Sequence, residues 1–261
     1  MKNIFSVMLL ILTCILSVYA NGEGDDDKKR KKDHKSSDEK ELLELKKTKA
    51  QPDVPGALVI DLATTILLNS PDGMDINPWG SWTVNIYYLY EFPIGKSNFS
   101  MNMGFGLGLE KYKFKESNTL GTTQDDTETI LIPLTDLLPK AQKFRKSIYA
   151  ANYFDIPVEF RFYANKNNRR KSFKVAVGGK VGFRFDTHTK IRYDEFNQTK
   201  ILKDKQQFNT KNPRFGLYGR LGFASVSFYY YYSLTEFFDN KKGPDQTQAN
   251  TMLIGISISG F

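Results

Sequence analysis

Two histidines and a single cysteine limit what this chain can do as a catalyst. His188, with Asp186 on its own strand face and Asp194 and Glu195 shortly after, is the one arrangement that could provide a general base. A membrane-rim enzyme acting on lipid A or on proteins would need such a base beside a nucleophile. An isolated histidine among lysines is more often simply solvated, so the chain is read as no enzyme. Asp125, Asp126 and Glu128 could in principle hold calcium, but no EF-hand spacing surrounds them, and a plain acidic loop is the preferred reading. No metal or cofactor is expected.

The more systematic signal is a file of charges that recur on alternate residues. Asp61, Glu91, Glu110, Asp155 and Glu159 are the acids; Arg161, Lys174, Lys180, Arg184, Arg214 and Arg220 are the bases. Each sits opposite an apolar face. In "SFKVAVGGKVGFRFD", Phe173, Val175, Val177, Val181, Phe183 and Phe185 alternate with Lys174, Ala176, Gly178, Lys180, Gly182 and Arg184. A period of two denotes an extended strand with its two faces in different surroundings. Lone buried ions cost several kcal/mol each, so five acids against six bases fit a self-neutralising interior. A solvated sheet face would also mix signs.

Eight segments carry this alternation: Ala57–Asn69, Gly80–Phe92, Phe99–Lys113, Ser147–Tyr163, Ser172–Asp186, Asn212–Leu221, Ser225–Phe237 and Asn250–Phe261. Several exceed the usual five or six residues of globular strands and suffice for the roughly 9–11 that cross a bilayer. Short connections alternate with long ones near 70–79, 116–146, 187–211 and 238–249, as in barrels with short turns on one side of a membrane. The apolar files are rich in Phe, Leu, Ile and Val, with Tyr and Trp near strand ends. The other faces ration bulk with Gly, Ser, Ala and Asn. Together these favour an all-β, eight-stranded antiparallel transmembrane up-and-down β-barrel, with lipid outside and charges within. An interior of that width filled by arginines and by Tyr218, Tyr229 and Tyr231 should be plugged.

Residues 1–20 read as a signal peptide: Lys2, an apolar centre from Ile4 to Leu16, then Val18-Tyr19-Ala20. Cleavage there removes Cys14 and takes the net charge from +8 to +7. Residues 21–55 form a charged tail without aromatics, expected to be a disordered, flexible periplasmic segment; 56–261 is the barrel. An exported basic chain meets lipid phosphates, not nucleic acid, so the partners expected are outer-membrane lipids, with no nucleic acid. Lys111, Lys113, Lys143, Arg145, Lys146, Lys190 and Arg192 cluster near strand ends, where they could contact such phosphates. In "ILIPLTDLLPKAQKF", Leu134, Leu137, Leu138 and Ala141 have helical spacing, with Thr135 or Asp136 as a cap. With Ile130 and Ile132 they make an apolar loop, suited either to cover the barrel mouth or to meet a protein partner.

At "DIPVEFRFY", "RLGFASVSFYYYYSLTEFF" and "KKGPDQTQANTMLIGISISGF" the chain resembles the PorT-like small outer-membrane β-barrels of the Bacteroidetes type. The similarity spans about residues 57–261. It implies residence in the cell outer membrane and, from the family's namesakes, an accessory part in type IX protein secretion with protein partners in an outer-membrane complex. Phe261 resembles the terminal aromatic that barrel-assembly machinery recognises during insertion, with a bulge at Gly260 needed to restore its parity. The expected function is thus a non-enzymatic, plugged structural or accessory barrel. A narrow pore or ligand-binding barrel is the alternative, and a lipid A-modifying enzyme the second.

Overall fold

The computed structural model describes residues 56–260 apart from residue 166. The leader and tail expected at 1–55, and the insertion signal at Phe261, lie outside the described residues. Eleven strands follow one another: β1 (Gly56–Leu68), β2 (Trp82–Pro93), β3 (Phe99–Lys113), β4 (Asn118–Thr122), β5 (Thr129–Pro133), β6 (Lys143–Tyr163), β7 (Phe173–Glu195), β8 (Gln198–Asp204), β9 (Arg214–Phe223), β10 (Val226–Ser233) and β11 (Asn250–Ser259). Eight of them, in the order β1, β2, β3, β6, β7, β9, β10 and β11, form a closed antiparallel ring, because β6 pairs with β7 and β11 returns to β1. Closure leaves no unpaired edge within the ring.

The inward and outward faces follow the alternation. Asp61, Asn85, Glu110, Asp155 and Glu159 are wholly buried, whereas Phe105, Phe160, Val177 and Phe228 stand exposed on the outside. Only hydrocarbon can cover so continuous an apolar outer belt. Among the described residues no helix is long and apolar enough to cross a membrane.

The ladder between β3 and β6 is interrupted midway. Their register passes from Met103 opposite Val158 to Gly106 opposite Asp155, leaving a gap opposite Pro157, which has no N–H to donate. A Cβ on Gly106 would lie 2.1 Å from the Ile86 carbonyl oxygen. Gly106→Ala is therefore expected to cost about 1–3 kcal/mol in urea unfolding of the refolded barrel. Gly219→Ala, whose Cβ would meet nothing nearer than 3.7 Å, should be close to neutral.

Three differences from the sequence expectation have physical causes. First, β6 and β7 run past the ring as a paired ribbon joined by β8, so most of the loop expected at 187–211 is strand, Asp194 and Glu195 included. Second, a bulge falls between the pairs Tyr153–Arg184 and Asn152–Asp186. It inserts Phe185 and reverses the facing of everything beyond. The odd-numbered apolar file faces outward up to Phe185, then inward as Ile191 and Tyr193, which are buried. Third, the segment expected to be helical gives most of β5, which pairs with β4, and one turn, α1 (Leu134–Leu137). Its N-cap is Pro133 without a side-chain cap bond, not Thr135 or Asp136, because "ILIP" is taken up by β5.

Candidate functional site

Eight of the eleven charged residues expected inside converge in two groups at different heights. The first lies toward the short-turn end and joins β1, β6 and β9. Arg220 gives Nη2 to Asp61 Oδ2 at 2.9 Å and Nη1 to Glu159, which also receives Arg161. The guanidinium carbon lies 4.6 Å from the Tyr218 ring centre and 5.3 Å from that of Tyr229. Two acids and two bases thus cancel, and planar guanidinium groups suit the bridging of two carboxylates.

The second group lies nearer the long loops. Lys180 donates to Asp155 Oδ2 and to the Tyr87 hydroxyl, both at 2.9 Å, and Tyr87 in turn donates to the same Asp155 oxygen at 2.7 Å. Arg214 bonds Glu110 and reaches Asp155 Oδ1 at 3.3 Å, with its guanidinium 3.5 Å above the Tyr153 ring. Tyr112 donates to Glu110 at 2.6 Å. Again two acids face two bases, and all four side chains are buried. Glycines make the room: a Cβ on Gly182 would sit 2.5 Å from Asp155 Oδ1.

Glu91 and Arg184 stand apart from these groups. Glu91 pairs with Arg169 at the short-turn end, half-buried, and accepts the Tyr163 hydroxyl at 3.1 Å. Arg184 bonds Thr210 beneath a long loop. Lys174 is buried and donates to the Ser259 hydroxyl. Arg169 escaped the sequence reading because it lies in a turn, where no alternation marks its direction.

All four long loops fold over one mouth of the ring. Met74 and Ile76 from the first, Leu120 from the second, Phe208 from the third, and Phe237 and Phe238 from the fourth pack on Tyr112, Tyr149 and Tyr153. Asp75 helps to pin the first of these loops through Lys115 Nζ at 3.2 Å, a bond that together with Ser70 holds its carboxyl below the usual range. The residues expected to form an apolar contact loop are divided. Leu134 is buried with Ile191 and Tyr193, and Leu138 packs against them; Ile132 is half-buried; Ile130 and Leu137 are exposed.

Of the four residues considered for catalysis, His188 and Asp186 meet, while Asp194 and Glu195 are paired elsewhere. His188 Nδ1 lies 3.1 Å from Asp186, which also takes Lys205 at 3.2 Å and the Asn152 amide at 3.2 Å. Asp194 is held by Arg145 Nε at 2.8 Å and Glu195 by Lys200 at 3.2 Å. Six residues of extended strand put Asp194 roughly 20 Å from His188. Among the described residues no three His, Cys, Asp or Glu side chains are grouped to hold a metal ion.

No curated protein matches the sequence. Among solved structures, the crystal structure of Neisserial surface protein A (NspA) aligns over 78% of this chain and 96% of that chain, at 9% identity and a TM-score of 0.34. The family model of the outer membrane protein beta-barrel domain matches residues 63–239. That match covers more than half of the chain, from within β1 through β10 and the turn into the last loop. The chain therefore belongs to the outer membrane protein beta-barrel domain family and resides in the outer membrane.

Proposed function

We propose that this barrel is a non-enzymatic, non-conducting structural or accessory component of a larger outer-membrane assembly. One observation carries the reading: two charge-neutral ionic groups, each bridging several strands, occupy the interior at different heights. An eight-stranded ring is just wide enough for side chains to fill. Paired buried charges and bulky tyrosines sharing that space support a closed interior. The loop cluster over one mouth, the extracellular one if long loops face outward, supports the same conclusion.

The non-enzymatic reading draws on the distance of Asp194 and Glu195 from the His188–Asp186 pair. Exposed Ile130 and Leu137 supply an apolar spot for a protein neighbour. The motif resemblance to PorT-like barrels makes type IX protein secretion the assembly to test first. Purified protein added to planar bilayers should give no stable conductance steps. Steps of porin size would refute the closed interior. For the assembly, gentle detergent extraction should yield the barrel with secretion components, and elution as a lone chain would count against it.

A further inference from the structure

The β7 bulge also builds a surface on the outside of the ring. Beyond it His188, Lys190 and Arg192 face outward, beside Lys146, Ile148 and Ala150 of β6 and Lys111 of β3. These residues line a groove of about 560 Å³. Its floor is apolar, from Val84, Leu109, Ile148 and Ala150, and its upper wall is cationic. Lys146 lies in the combined field of Lys111, Lys113, Lys190 and Arg192. The pairing sharpens this concentration of charge. Lys146 is directly opposite Arg192, and Lys190 directly opposite Lys203. Like charges so placed destabilise a sheet unless an anion lies between them.

Among the described residues no carboxylate is paired with these bases. Asp186 is taken by Lys205 and His188, Asp194 by Arg145 and Glu195 by Lys200. Among the described residues Lys113, Lys146, Lys190 and Arg192 have no carboxylate partner, while Lys111 lies 4.4 Å above the Trp82 ring. A tryptophan at a strand end marks the level of lipid headgroups. Val84 and Leu109 continue downward into the lipid-facing residues Ile86 and Leu107. An occupant must therefore join an anionic head to an apolar tail.

We propose that this groove binds the phosphorylated sugar headgroup of an outer-leaflet glycolipid, with phosphates on Lys146, Lys190 and Arg192 and an acyl chain along the apolar floor. Arginine and lysine side chains of this kind are suited to phosphate. A soluble acidic protein would match the charge but not the floor, which opens sideways into the hydrocarbon layer. The inference needs the membrane placement with the long loops extracellular and does not depend on a closed interior.

The test uses the full mature chain, purified and stripped of lipid in mild detergent. Three probes are compared by native mass spectrometry: bis-phosphorylated lipid A, the same lipid A dephosphorylated, and phosphatidylglycerol. Lipid A should bind at least tenfold more tightly than either other probe. The Lys146→Gln/Lys190→Gln/Arg192→Gln variant should lose at least tenfold, while Lys241→Gln/Lys242→Gln on a distant loop should bind as the parent does. Heat-modifiable gel migration verifies that each variant is folded. Equal binding of the phosphorylated and dephosphorylated forms overturns the proposal, and equal binding of phosphatidylglycerol overturns the glycolipid assignment. If the true occupant is an acidic protein, the triple variant binds lipid A like the parent, which also overturns it. Bilayer conductance plays no part, so failure here leaves the closed interior standing.

Discussion

Replacing Arg220 by methionine should destabilise the folded barrel by about 3–5 kcal/mol, the usual result of removing one partner from a buried ion pair. Among the described residues Arg220 is the only base bonded to Asp61, which also accepts the Asn85 amide at 3.4 Å, and it shares Glu159 with Arg161. Methionine keeps much of the bulk between Tyr218 and Tyr229, so the loss reports charge and not a cavity. Arg220→Met leaves two carboxylates against one guanidinium. Adding Asp61→Asn restores balance, because Arg161 and Glu159 then pair one to one. The double variant should recover more than half of the loss, an interaction of about 2 kcal/mol in a double-mutant cycle. Urea unfolding of the refolded barrel, followed by tryptophan fluorescence, measures both. If the second substitution recovers nothing, the lower group is not a compensated charge network.

The same residues show how far the sequence can be read. A period of two is imposed by the backbone, so each long alternating run announced a strand, and eight runs meant a ring. That acids and bases shared a face was equally legible, since Asp155, Glu159 and Arg161 occupy alternate positions of one strand. Their partners were not. Arg220 meets Asp61 across 159 residues of sequence, and nothing local says which base finds which acid. The bulge at Phe185 was hidden for a related reason. Ile191 and Tyr193 continue the odd-numbered apolar file of Val181 and Phe183, but they face buried protein where the earlier residues face lipid. Hydrophobicity alone does not distinguish those surroundings. In the long loop, "ILIPLTDLL" contains spacing for a helix and β-branched residues for a strand. The hairpin partner Asn118–Thr122 decided between them.

Phe237→Ala should release the loop cluster without opening the barrel. Phe237 is its hub, with ring centres 5.0 Å from Tyr112, 5.6 Å from Tyr149 and 4.9 Å from Phe238. Removing a buried phenyl ring costs about 3–5 kcal/mol. Here the loss falls on loops that can open separately from the strands. Cleavage through the open form follows its population when reclosing is fast, so 3 kcal/mol implies roughly a hundredfold faster proteolysis of the long loops. The strands should survive as a protected core in the same digest. An unchanged cleavage rate would mean that the cluster does not hold the loops down. The decisive companion measurement is conductance. The two ionic groups lie beneath the cluster and do not use Phe237, so the variant should stay silent in a planar bilayer. Were it to conduct, the loops would be the seal and the paired charges only a lining, and the closed-interior proposal would fail even though the ion pairs were intact.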